Sequence, residues 1–207
     1  MQEANEFLTD SAGCADDADA VRMRRHMKNE EEIFQRVSQA SAGRSRQTTE
    51  HCLCVKIGEQ KLYHFRHGKL VRDYVISTSL RPPSCIANSL GTPTGLHAIA
   101  DKIGAGAPPG TVFKSRVPAG YLWRDAPEPE RAKNLVSTRI LRLRGLDPGL
   151  NSGPGCDSYD RFIYIHGTSH PELLGTPATA GCPVLSDADV IELFDLVPEG
   201  SLVWMEE

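Results

Sequence analysis

The chain has no apolar run approaching the roughly 18 residues that a membrane-spanning helix needs. Its first twenty residues hold no lysine or arginine, so the charged-then-apolar pattern of a secretory signal is missing from them. Lysine and arginine elsewhere are dispersed, and with a net charge of -4 and a pI near 6.0 the chain lacks the basic footprint of a nucleic-acid binder. Neither a phosphate-cradling glycine loop nor a dinucleotide fingerprint occurs, so no organic cofactor is expected. Aromatic residues make up only 6%.

What is present describes a globular protein. The chain has 207 residues, 40% of them hydrophobic and 24% charged, enough for one domain with a substantial core and an appendage. Six cysteines carry little disulfide information in a chain of this length. Cys52 and Cys54 would share one face of a strand and bridge each other poorly, so reduced thiols are expected.

Residues 1 to 20 hold six acidic side chains (Glu3, Glu6, Asp10, Asp16, Asp17, Asp19) and read as a solvated tail. Val21 to Val37 can form a polar helix, with Met23, Met27, Ile33, Phe34 and Val37 as an intermittent apolar stripe. Ser38 to Thr49 reads as a linker. The boundary is expected near residue 50, making 1–50 a partly disordered appendage and 51–207 the domain.

From Cys52 the apolar period is two. Leu53, Val55 and Ile57 share a face, Lys61 to Arg66 returns after a turn, and Lys69 to Ser79 follows His67-Gly68, giving three hairpin-linked strands. Thr92-Pro93-Thr94-Gly95 enters a fourth strand, in which His97 either lines a cleft or is a structural histidine. Arg116 to Ala132 reads as a long connection. In it Tyr121 and Trp123 either stack on a sugar or peptide ligand or pin the loop to the core. Leu135 to Leu143 and Arg161 to His166 are strands; the second is apolar on both faces and therefore central. Ser186-Asp187-Ala188-Asp189 opens a helix running to Val197, and Ser201 to Met205 is the last strand.

The chemistry concentrates in one stretch. His166 ends the central strand and Cys182 follows Gly181, sixteen residues later, a separation that suits two neighbouring strand ends joined by a loop. Histidine beside cysteine is the pairing that makes a thiol nucleophilic. An unperturbed thiol, with a pKa near ~8.5, is only a few per cent ionised at pH 7, and an imidazole within reach corrects this. His166, His170 and Cys182 also allow a zinc-hydrolase reading, but His-x-x-x-His chelates from a helix, and here a strand end and a loop carry it, so no metal is expected.

His166-Gly167-Thr168, then Gly175-Thr176-Pro177-Ala178-Thr179-Ala180-Gly181-Cys182, resembles the signature of the L,D-transpeptidase catalytic domain, also called YkuD. The likeness spans roughly Val55 to Met205, and Thr92-Pro93-Thr94-Gly95 resembles an element beside that family's active site. It departs at two places: the family's His before Gly-Cys is Ala180, and its Arg two residues past the nucleophile is Val184. Pro183 also removes the backbone N–H after Cys182.

The resemblance implies a mainly β fold, a sandwich or barrel-like mixed sheet with a short helix after the nucleophile. It implies Cys182 as nucleophile, His166 as base, the Gly167 carbonyl as its orienter, and the N–H groups of Gly181 and Cys182 as the oxyanion hole, with Thr168 beside the substrate. The implied reaction joins peptidoglycan stem peptides through a thioester, for cell-wall cross-linking in the periplasm or cell envelope. Water as acceptor would give an L,D-carboxypeptidase. Ala180, Pro183 and Val184 raise the alternative of a degenerate domain that binds peptidoglycan or a partner without turnover. Oligomeric state is not encoded in any of these motifs.

Overall fold

Alternating apolar residues of β1 (His51–Lys56) are buried on both sides, which requires a layer above and below it. Leu53 and Val55 point into a large core with Ile99, Leu141, Ile165 and Val203, while Cys52 and Cys54 face a second cluster with Tyr63, Phe65, Leu96 and Leu202. The computed structural model describes residues 30–207 together with Val21. The expected acidic tail, and most of the first half of the expected polar helix, lie outside the described residues.

Residues 30–42 are helical (α1) and supply the missing outer layer. Ile33 and Val37, one helical turn apart, insert into the Cys52 and Cys54 cluster, and Phe34 packs beside them. The helix continues through Ser38 to Ala42, where a linker was expected, because Ala40 and Ser41 are themselves buried and the Ser41 hydroxyl donates to the Val37 carbonyl at 2.8 Å. Arg44 then pairs with Asp147, whose carboxylate also accepts the Leu96 amide at 2.9 Å.

The remaining strands are β2 (Lys61–Arg66), β3 (Lys69–Val75), β4 (Gly95–Ile103), β5 (Thr111–Lys114), β6 (Val117–Leu122), β7 (Ser137–Gly145), β8 (Tyr164–Gly167), β9 (Val184–Leu185) and β10 (Leu202–Glu206). They form one mixed sheet in the order β3-β2-β1-β10-β4-β7-β5-β6, from which β8 branches off β7 and carries β9 on its other side. The β1/β10 and β8/β9 pairs are parallel and the others antiparallel. Ser77, just beyond β3, exchanges two backbone hydrogen bonds with Val184 (3.0 and 2.9 Å), so β9 meets the far end of the sheet and nearly closes it. The expected mainly β, barrel-like mixed sheet is the observed architecture.

α2 (Asp187–Leu196) covers the core through Val190, Leu193 and Phe194. It starts as the sequence predicts: the Ser186 hydroxyl accepts the Asp189 amide at 3.1 Å and caps the helix. All five described cysteines are free. No helix among the described residues is long and apolar enough to cross a membrane.

Two expectations change. Val117–Leu122 is a strand, not part of a long connection. Pro118 and a positive-φ Gly120 hide it, and both are tolerated because β6 lies at the end of the sheet order. The His166 strand begins at Tyr164 rather than Arg161, since Phe162 has φ 57° and closes a turn onto the Tyr159 carbonyl.

Candidate active site

β8 carries His166 into the interior, where the imidazole is 3% exposed. Its Nδ1 lies 2.8 Å from the Gly167 carbonyl. That contact assigns the proton to Nδ1 and leaves Nε2 as the basic nitrogen. Burial pushes the imidazole pKa down to about 4, with the Gly167 carbonyl only partly opposing it, so His166 is neutral at pH 7.

Cys182 precedes β9 by two residues and is shaped by a turn. The Thr179 hydroxyl accepts the Gly181 amide at 3.2 Å and donates to the Cys182 carbonyl at 2.8 Å. Gly181 sits at φ 128°, a backbone angle that L side chains rarely adopt, so glycine is required here for the backbone conformation. The Pro183 carbonyl accepts the His166 amide at 3.3 Å, tying the turn to β8.

The thiol itself faces the main chain of β8. Sγ accepts the Tyr164 amide at 3.3 Å and lies 3.5 Å from the Phe162 carbonyl, to which the thiol can donate. Burial pushes the Cys182 pKa up to about 11; the Tyr164 amide and the Arg161 charge pull against it and lose. No hydrogen bond joins Sγ to His166 among the described residues, and the imidazole instead meets the Tyr164 ring edge-on at 6.4 Å between centroids. The low-pKa thiol expected from a Cys–His contact is therefore not the state found here.

Around the thiol, Arg161 clamps the neighbouring loop through the Ser84 carbonyl (3.0 Å), the Ser89 hydroxyl (3.3 Å) and the Gly91 carbonyl (2.8 Å). A cavity of about 290 Å³ opens beside this clamp, with Arg161, Phe162, Ile163, Leu90 and Ala180 among its walls. Ala180 is exposed on that wall. Val184 is 1% exposed and pairs with His166 across β8 and β9.

The model of the L,D-transpeptidase catalytic domain, YkuD, matches residues 50–205, three quarters of the chain. The chain belongs to this family. No curated protein matches it. Among solved structures, an L,D-transpeptidase from Mycobacterium smegmatis is 16% identical at a TM-score of 0.47, covering 76% of this chain and 59% of that one. One from Xylanimonas cellulosilytica is 19% identical at 0.47, covering 78% and 62%. L,D-transpeptidase 3 from Mycobacterium tuberculosis, in complex with a faropenem-derived adduct, is 15% identical at 0.49, covering 76% and 60%. The chain thus spans about three fifths of the length of these solved proteins.

The other residues singled out in this YkuD domain fall in different places. Thr168 is 2% exposed, donating to Asn134 Oδ1 and accepting the His170 amide, both at 3.0 Å, so it shapes the loop leaving His166. Trp123 stands on a single 3-10 turn (Trp123–Asp125), its Nε1 donating to Asp187 at 3.0 Å. Tyr121 donates to Glu130 and secures the adjoining loop. His97 is fully buried in β4, with Nε2 2.9 Å from the Ser158 hydroxyl and Nδ1 3.1 Å from the Gly95 carbonyl, so it has no face for a ligand. His170 turns toward Glu172 at 3.0 Å, and no group of three metal-ligating side chains forms among the described residues.

Three residues of the site escaped the sequence reading of roles: Tyr164 and Arg161, which act through the backbone N–H and through charge, and Thr179. Only Thr179 left a local signal, a hydroxyl two residues before a glycine, which is the pattern of a side-chain-braced turn.

Proposed function

We propose that this YkuD domain is a cysteine L,D-transpeptidase acting on peptidoglycan stem peptides at the cell envelope. The observation that carries this reading is the family match over residues 50–205, with Cys182 and His166 both retained at the signature positions. The adjacency of β8 and β9 supports it. In the first half-reaction the Cys182 proton passes to His166 Nε2 as Sγ bonds to the donor carbonyl, and collapse of the adduct expels the terminal amine, which takes the proton back. In the second, His166 removes a proton from the acceptor amine as it attacks the thioester, and the thiol leaves. With water as acceptor the product is the free acid.

Gly167 is the orienting residue in this scheme, since its carbonyl sets the imidazole tautomer. The Cys182 N–H is the first oxyanion donor. The Gly181 N–H, given to Thr179 at rest, is the second once the oxyanion competes for it. The chemistry needs Sγ to turn away from the Tyr164 amide and come within reach of Nε2.

A second reading, a binding domain without turnover, draws on Ala180, Val184 and a resting thiol held near 11. Intact-mass analysis after exposure to a carbapenem separates the two. A single adduct on wild type, absent from Cys182→Ala and formed much more slowly by His166→Ala, supports the transpeptidase. No adduct on wild type, with the fold intact, rejects it in favour of the binding domain.

A further inference from the structure

The loop that leaves His166 borders a second cavity, of about 270 Å³, walled by Trp123, Arg124, Arg131, Ser169 and His170. Two of its five walls are guanidinium groups and none is a carboxylate. The Arg124 guanidinium lies over the Trp123 ring, 4.3 Å from its centroid, which holds the arginine side chain at this wall. Its carboxylate neighbour, Asp187, is 3.9 Å away and already takes hydrogen bonds from Trp123 and Thr138. Arg131 reaches Glu128 only at 3.6 Å, between two exposed side chains, and such a pair is worth little in water.

The floor is preformed. Ser169 donates to the Lys133 carbonyl at 3.1 Å and accepts the Leu135 amide at 3.0 Å, so the loop does not need a ligand to hold it. His170 differs: Nδ1 donates to the Glu172 carboxylate, which leaves Nε2 as the ring's acceptor, and this buried nitrogen has no hydrogen-bond partner among the described residues. A buried acceptor left unpaired costs free energy that an N–H of the bound peptide would recover.

We propose that this cavity is an anion subsite that holds a carboxylate of the acceptor peptide, with Arg124 and Arg131 as its charged walls and His170 Nε2 accepting a neighbouring peptide N–H. The proposal rests on the transpeptidase reading for the word acceptor. In that reaction the acceptor amine must give its proton to His166, so the acceptor lies on the imidazole side of the thioester. Ser169 and His170 follow His166 by three and four residues, a reach of at most ~14 Å of extended chain. The volume falls just under the ~300–1,000 Å³ of pockets for whole drug-sized ligands, which suits one acidic end of a peptide. Planar guanidinium groups are matched to carboxylates, which they can bind through two parallel hydrogen bonds.

The test is calorimetric titration of the full chain with glycylglutamate, which has a free amine and two carboxylates, and with glycylglutamine amide, which has the amine alone. Wild type and Cys182→Ala should bind the acid equally, and the amide at least tenfold more weakly. The double variant Arg124→Gln/Arg131→Gln should lose at least tenfold in affinity for the acid, with its melting temperature as the check on folding. Equal affinity for acid and amide in wild type, no binding of either, or an unchanged affinity in the folded double variant overturns the subsite. Carbapenem acylation of wild type with any of those results removes the subsite and leaves the enzyme. Selective acid binding without acylation keeps the anion subsite and removes its role in transpeptidation.

Discussion

The Tyr164 amide donates to Cys182 Sγ over 3.3 Å, which sets the thiol level with Tyr164 rather than with His166. The two residues of β8 are one side-chain repeat apart, about 6.6 Å along a strand. At rest the nucleophile and base are thus both neutral, each for the same reason: burial raises the thiol to about 11 and lowers the imidazole to about 4.

The first consequence concerns thiol reactivity. With a pKa near 11, only about one thiol in 10⁴ is ionised at pH 7. Iodoacetamide alkylation of Cys182, followed by peptide mass spectrometry, should therefore accelerate close to tenfold per pH unit from 7 to 10. His166→Ala should leave that profile in place while slowing carbapenem acylation, because the imidazole acts only after the thiol has turned. A plateau of alkylation below pH 7 would mean a preformed thiolate–imidazolium pair and would contradict the resting geometry.

How much of this was legible beforehand depends on the range of the interaction. Ser186 and Asp189 announce the start of α2 because a helix cap is a local hydrogen bond. That His166 and Cys182 lie near neighbouring strand ends was readable from their spacing and the loop between them, whereas the parallel pairing of β8 with β9 was not. The thiol's actual partner was not. It is a backbone N–H eighteen residues away, and backbone groups leave no mark in residue type. The helical residues past Ser38 were hidden by composition, since a Ser/Ala/Gly-rich stretch reads as a linker until Ile33 and Val37 are seen to pack against Cys52 and Cys54. Arg161 looked like an ordinary strand residue and proves to bind two carbonyls of a loop some seventy residues upstream.

A second prediction tests the departures from the family signature. Ala180 is exposed on the wall of the cavity beside Cys182, so Ala180→His adds a titratable cation without displacing packed atoms. A positive charge near a thiol lowers its pKa, by one unit or more at close range. Alkylation of Cys182 at pH 6 should rise about tenfold over wild type, and the gain should disappear above pH 8 as the new imidazole loses its proton. Val184→Arg should behave oppositely. Its position is 1% exposed, and an unpaired buried charge there should lower the melting temperature.

A third prediction concerns Gly167. A Cβ at this position would lie 2.9 Å from the Ser137 carbonyl and 3.0 Å from both Ser137 Oγ and Thr138 Cβ, so β7 or β8 must move to admit it. Such overpacking costs about 1–3 kcal/mol, or roughly 2–12 °C in melting temperature for a protein of this size. Because the same displacement moves the carbonyl that holds His166 Nδ1, Gly167→Ala should reduce carbapenem acylation at least tenfold at a temperature where the variant is fully folded. Gly149→Ala, which meets no atom within 4 Å but is strained by a backbone φ of 77°, is the comparison: it should cost stability through that strain alone and leave acylation unchanged.

The buried histidines make acid stability the last test. His64, His97 and His166 are each pushed down to about 4, in every case chiefly by burial, with the neighbouring His51 also lowered and adding to the effect on His64. In the unfolded chain a histidine binds its proton near 6.5, whereas the folded protein resists doing so until about 4. The unfolded state therefore binds more protons throughout that window, and stability rises with pH across it. Read downward, stability is complete above about pH 6.5 and is lost as the pH falls toward 4. Each group contributes at most ~1.4 kcal/mol per pH unit, so the three together approach ~4 kcal/mol per unit. Urea denaturation at pH 7, 6 and 5 should show the unfolding free energy falling progressively more steeply, and His97→Gln, whose amide can still meet Ser158, should remove about a third of that fall. A free energy independent of pH between 7 and 5 would mean that these imidazoles are solvated, and that the neutral His166 assigned to the resting site is wrong.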